Sequence, residues 1–330
     1  MKTPSFWFTP PDQPHWRARL LAPLGWLYGL GTARRVRGSG YKARVPVICI
    51  GNINAGGTGK TPTTIALAQI LMGRGKSVHI VSRGHRGSVE GPLRVQEREH
   101  SAAQVGDEPM LMAAFTTVWV GKDRVKSVQA AEASGADVIL MDDGFQNPSI
   151  EKDLSIVVVD AVKGFGNARC IPAGPLREPV EAGLARANLL LSIGPGGAQK
   201  RFRQEWSHIL RLPHLTAHLE PLQMGMDFEG MDVLAFAGIG HPDKFFATVR
   251  GLGANLLRAE ALADHQPLTE ALMKRLELEA AALGAQLITT EKDAVRLPQS
   301  FRRKVLTVPV RLELHDQTAL DQALVKIGLG

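Results

Sequence analysis

Residues 45–72 read VPVICIGNINAGGTGKTPTTIALAQILM, and the order of features in this stretch decides the fold. An apolar, β-branched run (Val45, Val47, Ile48, Ile50) suits a buried strand of a parallel sheet. A glycine-rich turn, Gly56-Gly57-Thr58-Gly59, ends in Lys60-Thr61, after which Ile65, Leu67, Ala68, Ile70 and Leu71 take up helical spacing. Strand, glycine loop, Lys-Thr and helix is the order a P-loop requires. In such a loop, here Asn54, Ala55, Gly56, Gly57, Thr58, Gly59, Lys60 and Thr61, backbone N–H groups close around phosphate oxygens at a helix N-terminus. Lys60 is expected to reach the β/γ-phosphates, and the Thr61 hydroxyl to ligate Mg²⁺. The strict pattern has glycine at position 54, where this chain has Asn54. Asparagine tolerates a left-handed backbone, so the loop geometry is expected to survive. The stretch implies a nucleoside triphosphate ligand.

Working outward, Val138-Ile139-Leu140-Met141-Asp142-Asp143-Gly144 is an apolar strand ending in paired aspartates. Alone, such a pair is usually a turn; downstream of a P-loop it is the expected Walker B strand, with Asp142 and Asp143 beside the metal. Further buried strands are expected at Ser77–Ser82, Thr117–Gly121, Ile156–Asp160 and Leu189–Ile193. The basic loop Arg83-Gly84-His85-Arg86-Gly87 is either a ligand-binding turn at a strand's C-terminal end or a solvated one. Residues 88–104 look like a surface excursion. In Gly106-Asp107-Glu108-Pro109, Asp is a good N-cap and Glu and Pro suit a first helical turn. Arg177 and Glu178, in a turn-rich stretch, face either a ligand or solvent.

Strand patterning lapses between Pro213 and Asp227, then restarts with strands near Val233–Gly240, Asn255–Arg258, Gln286–Thr290 and Val305–Val310. Gly238-Ile239-Gly240 hints at a dinucleotide motif, but its third glycine position is Asp243. The alternation of strand and helix throughout argues for α/β parallel sheets in both parts. The expected organisation is an N-terminal segment at 1–40, a P-loop NTPase (RecA-like) domain at 41–225 and a smaller α/β domain at 226–330.

With 330 residues, 44% hydrophobic and 22% charged, the composition is that of an ordinary globular protein. Its two cysteines, Cys49 and Cys170, exclude a disulfide framework and fit a reducing compartment. The net charge of +7 implies acidic partners. Three of the five tryptophans (Trp7, Trp16, Trp26) and both tyrosines (Tyr28, Tyr41) lie in the first 41 residues, interleaved with Arg17, Arg19, Arg34, Arg35 and Arg37. This is the make-up of a segment lying at an anionic membrane surface. The run Leu20–Leu30 contains Pro23, Gly25 and Gly29 and is far shorter than the roughly 20 residues a span needs. A helix packed on its own domain is the plainer alternative. Nucleic acid is not an expected partner, since no base-reading motif accompanies the charge.

Taken together, GNINAGGTGKTP (51–62), SRG (82–84), GDEP (106–109), DDGFQN (142–147), AGPLREP (173–179), AFAGIGHPDKFF (235–246), Asp264-His265 and TTEKDAVRL (289–297) resemble the tetraacyldisaccharide 4'-kinase family of the lipid A pathway. The resemblance covers nearly the whole chain. It implies transfer of the ATP γ-phosphate to the 4'-hydroxyl of a lipid A disaccharide 1-phosphate, at the cytoplasmic face of the inner membrane. It further implies that Asp107 is the general base and His265 its partner from the second domain. On the same ground Glu108, Asp142 and Asp143 surround Mg²⁺–ATP, and Arg124, Arg177 and Glu178 lie near the reacting groups. The chain departs from the family in having Gln266 after Asp264-His265 and Asn147 at the end of the aspartate block. The runner-up is a membrane-associated P-loop ATPase of the partitioning or targeting type. Those proteins carry a lysine just before the paired glycines, where this chain has Ala55.

Overall fold

Strands that are apolar on both faces need cover on both, which parallel βαβ connections provide. In the computed structural model, which describes residues 3–222, 225–264 and 266–330, such segments form the centre of one sheet. Its first eight strands in chain order are β1 (Val47–Gly51), β2 (Val78–Ser82), β3 (Leu93–Arg94), β4 (Thr117–Val120), β5 (Val138–Asp142), β6 (Leu154–Asp160), β7 (Leu189–Ile193) and β8 (His214–Pro221). A second sheet holds β9 (Asp232–Ala237), β10 (Asn255–Ala261), β11 (Gln286–Thr290) and β12 (Val305–Val308), parallel throughout in the order β10-β9-β11-β12. The chain then returns to the first sheet with β13 (Val310–Leu314), so residues beyond 309 pack with the large sheet although they follow the small one.

The large sheet runs β13-β8-β7-β6-β1-β5-β2-β4-β3. It is parallel from β8 to β4, with the antiparallel strands β13 and β3 at its edges. After β1 the chain lays β2, β3 and β4 on one side and returns to place β5 beside β1, then crosses to the other side of β1 to lay down β6. The strand order therefore reverses at β1, and the crevice at its C-terminal end is where doubly wound sheets bind ligands. Period-2 alternation sends Ile48, Ile50, Ile80 and Leu140 into one core layer, and Val47, Cys49, Ile139 and Met141 into the other. Both cysteines are free and buried.

Three local readings need correction. Residues 214–221 form a full strand where the pattern seemed to lapse. Leu215 and Ala217 are buried in alternation, and the intervening Thr216 and His218 masked an edge-side strand. The expected last strand, Val305–Val310, is two strands in different sheets. Pro309 has no N–H to give, and its carbonyl accepts from Leu222 as the chain changes sheet. Within 88–104 lie the short strand β3 and a capped turn of helix, Ala102–Val105.

The N-terminal segment is helical, Trp16–Leu20 and Ala22–Arg35. No helix among the described residues is long and apolar enough to cross a membrane. The helix Ala22–Arg35 packs by its small residues: Gly25, Gly29 and Thr32 are buried. A Cβ on Gly25 would lie 2.7 Å from the Cys170 carbonyl oxygen, so only glycine permits this approach. Trp16, Leu20, Leu24, Trp26, Leu27 and Leu30 point outward and are exposed. One side of the segment is thus the packed helix of the plainer expectation, while the other leaves large apolar side chains exposed.

Candidate active site

The loop after β1 closes as a phosphate cradle because its glycines take the strained positions. Gly56 and Gly59 have φ of 109° and 96°, and Gly59 begins the helix Lys60–Gly73. A Cβ on Gly56 or Gly57 would meet nothing within 4 Å, so that side of the loop faces open space. Asn54 is not left-handed, contrary to expectation. It sits in an extended bridge to Leu176, and its Nδ2 donates to the Gly164 carbonyl at 3.0 Å. The loop therefore tolerates Asn54 because the amide is used as a brace, and the φ > 0 burden falls on Gly56. Gly59→Ala is expected to cost about 1–2 kcal/mol from its left-handed backbone alone. The added Cβ also lies 2.5 Å from Ile193 Cδ1. A lower Tm together with weaker nucleotide binding in a fluorescence titration checks this.

The pairing of β1 with β5 sets Ile50 opposite Asp142, which delivers the aspartate pair to the mouth of the loop. Asp142 is 5% exposed, and burial pushes its carboxyl up to about 6, helped by Asp143 and Glu108 and opposed by Lys60. Asp143 follows with φ of 51°, a turn that swings its carboxylate towards Lys60 Nζ at 3.6 Å and Arg177 Nη1 at 3.1 Å. Burial works against its charge, but Lys60, Arg177 and Arg124 outweigh it and hold the carboxyl below its ordinary range. Asp142 Oδ1, Thr58 Oγ1 and Asn52 Oδ1 are buried without a hydrogen-bond partner among the described residues. Unpaired buried oxygens converging on an open glycine loop fit a polyphosphate with its cation. No group of three or more His, Cys, Asp or Glu converges as a metal cage among the described residues. A Mg²⁺ ion held largely by phosphates and one or two carboxylates needs no such cage.

The basic residues divide by role. Arg124 is 5% exposed; its guanidinium donates to the carbonyls of Asp142 (3.1 Å) and Asp143 (2.9 Å), and burial pulls its pKa down. It shapes the turn that aims the carboxylates. Arg177 faces the site through Asp143 and Gln146. Its neighbour Glu178 is 2% exposed and accepts from Arg186 at 2.5 Å and from Gln146 at 2.9 Å, the amide that Arg177 also meets. Glu178 is therefore not a solvated residue; it is tied through Gln146 to the side chain of Arg177. The loop Arg83–Gly87 leaves Arg83, His85 and Arg86 exposed while its glycines press against the backbone of Gln104 and Val105. Asn147, where the family pattern differs, closes a turn by accepting from Ser149 N at 2.8 Å.

From the flank comes the helix Asp107–Ala113, which packs beside the P-loop helix. Its N-cap is Gly106, at φ 96°, so Asp107 occupies the first helical position and does not cap. Asp107 Oδ2 lies 3.6 Å from Arg296 Nε, and Glu108 Oε1 lies 2.8 Å from Lys292 Nζ. Both cations come from the small sheet's side, on and after the turn Glu291–Ala294. His265 lies outside the described residues. Arg296, Lys292, Asp293, Gln146 and Arg186 were not singled out from sequence as site residues. The TTEKDAVRL stretch holds three of them, but a charged turn after a strand has no pattern that marks it as facing another domain.

Comparison with known proteins bears on this cleft. The sequence profile of the family described as LpxK, Tetraacyldisaccharide-1-P 4'-kinase, matches residues 17–328. The chain is 59% identical over 328 residues to a Tetraacyldisaccharide 4'-kinase of Jannaschia sp. (strain CCS1), covering 99% of each. It is 60% identical over 326 residues to one of Dinoroseobacter shibae, covering 98% of this chain and 97% of that one. Among solved structures, LpxK from Aquifex aeolicus in complex with ATP superposes with a TM-score of 0.76 at 26% identity. That match covers 95% of this chain and 99% of the other.

Proposed function

The chain belongs to the tetraacyldisaccharide 4'-kinase family, and from that premise we propose how it carries out ATP-dependent phosphorylation of the 4'-hydroxyl of a tetraacyldisaccharide 1-phosphate in lipid A biosynthesis. One observation carries the reading. The acid pair Asp107-Glu108 opens a helix packed against the P-loop helix, so an acceptor hydroxyl and a nucleotide can meet in one cleft.

In this reading the loop amides of 56–60 and the Lys60 ammonium hold the phosphates, and Asn54 braces the loop. Thr61, Asp142, Asp143 and Glu108 are the residues that would hold Mg²⁺. When bound, that ion supplies neutralisation of charge on the transferring phosphoryl oxygens. Arg124 keeps the aspartate turn aimed, and Arg177 balances Asp143 and faces the reacting groups. Asp107 takes the proton from the 4'-hydroxyl, and His265 serves as its partner from the second domain. Phosphoryl transfer asks for positioning and charge compensation more than for covalent help, which is what this set provides. Incubating the protein with γ-labelled ATP and disaccharide 1-phosphate in detergent micelles tests it. Label in the lipid is the expected result; ATP hydrolysis without labelled lipid would favour the switch ATPase.

The outward face of the N-terminal helices supports attachment to an anionic membrane, at the cytoplasmic face of the inner membrane. Large apolar side chains there have no protein cover, and Arg34 and Arg35 lie in the last turn. Deleting the segment would also unseat its packing on Cys170 and Ala173, so point changes are cleaner. Each large apolar side chain buried is worth roughly 1.5–3 kcal/mol. Trp26→Ser with Leu27→Ser is therefore expected to weaken binding to phosphatidylglycerol-containing vesicles by at least about tenfold, with Tm unchanged. Vesicle sedimentation together with a thermal melt reads both.

A further inference from the structure

Asp293 is fully buried in the helical turn that follows β11 of the small sheet. Its Oδ2 accepts from Gly238 N at 3.1 Å and Thr290 Oγ1 at 2.7 Å, and its Oδ1 pairs with Arg296 Nη2. The other terminal nitrogen of Arg296, Nη1, donates to the Gln266 carbonyl at 2.9 Å, in the turn that follows Asp264. A Cβ on Gly238 would lie 2.8 Å from Nη2, so glycine at 238 is what lets the guanidinium seat here. Two of the three nitrogens are thus spent inside the small sheet's domain. The third, Nε, is buried without a hydrogen-bond partner among the described residues and lies 3.6 Å from Asp107 Oδ2.

An arginine fork pinned at two corners by a buried carboxylate and a carbonyl has little rotamer freedom left. Its remaining N–H then presents a fixed direction to whatever stands opposite. We propose that Arg296 is the positioning residue for the Asp107 carboxylate, orienting it from across the domain boundary through a guanidinium that is itself anchored on Asp293 and the Gln266 carbonyl. This rests on the reading of Asp107 as the base. Lys292, four residues earlier, reaches Glu108 from the same side at 2.8 Å, so the turn Glu291–Ala294 docks on the helix that starts at Asp107 through both acids. A base aligned in this way is set only when the two domains are in register. An arginine that serves only as an interdomain strut would cost stability without touching the proton-transfer step.

Steady-state kinetics of Arg296→Gln, Arg296→Lys, Asp107→Asn and the double variant Asp107→Asn/Arg296→Gln separate these. Misplacing a reacting group by about 1 Å costs as much as 10²-fold. Arg296→Gln is therefore expected to lose roughly 10–100-fold in kcat, with KM for ATP and nucleotide affinity changed less than about twofold. Arg296→Lys, which keeps charge but cannot span both anchors, is expected to fall between Arg296→Gln and the wild type. Adding Arg296→Gln to Asp107→Asn is expected to cost less than about threefold more, because a positioner of an absent base has nothing left to position. Wild-type kcat in Arg296→Gln, or strictly multiplicative losses in the double variant, would overturn the proposal while leaving the base intact. Normal turnover in Asp107→Asn would overturn both. If Arg296→Gln does not fold, unchanged kcat in Arg296→Lys overturns the proposal by itself.

Discussion

Lys60→Ala is expected to lower phosphoryl transfer by roughly 10²–10³-fold, the usual cost of removing one preorganised electrostatic group from a reaction centre. The fold is expected to survive. Lys60 stands in the first turn of its helix with its ammonium 3.6 Å from Asp143, whose carboxylate keeps Arg177 at 3.1 Å when the lysine is gone. Asp143 is therefore not left as an unpaired buried charge, the case in which removing one partner is strongly destabilising. Nucleotide affinity is expected to fall along with turnover, because the ammonium meets the same phosphates in both states. Equilibrium nucleotide binding, a thermal melt and initial rates on one preparation read all three. A folded Lys60→Ala enzyme with near-native turnover would remove the P-loop from the mechanism.

Why the sequence announced the nucleotide side so plainly is a matter of locality. Strand, glycine loop, lysine and helix are consecutive, so P-loop geometry is written within some thirty residues, and the acid pair ends the strand that pairs directly with β1. Even there, one inference failed for a physical reason. Asn54 was expected to carry a left-handed backbone, but its side chain braces Gly164, a residue far along the chain that no local pattern points to. The acceptor side is built from contacts between domains. Arg296 reaches Asp107, and Lys292 reaches Glu108, across nearly two hundred residues of chain. Their sequence setting, a charged helical turn after β11, is equally that of an ordinary solvated loop. Pro309 could have revealed the sheet change, since a proline interrupts a central strand. Strand β8, next to the edge, was hidden because its alternation pairs Leu215 and Ala217 with polar residues.

In the proposed mechanism, Asp107 stands where the acceptor hydroxyl must lose its proton. It occupies the first position of its helix, behind a glycine cap, so its charge near the helix N-terminus is worth about 2 kcal/mol or less to stability. Asparagine keeps its size and polarity but cannot accept a proton at neutral pH. Asp107→Asn is therefore expected to fold as the wild type does and to bind nucleotide with an affinity changed by less than about threefold. Loss of a general base costs roughly 10²–10⁴ in turnover. The decisive measurement is the single-turnover rate at which label from γ-labelled ATP reaches the disaccharide 1-phosphate in micelles, taken at saturating nucleotide for wild type and Asp107→Asn. The account predicts a fall of about 10²–10⁴-fold with nucleotide binding retained. An Asp107→Asn enzyme that labels the lipid at the wild-type rate would contradict it.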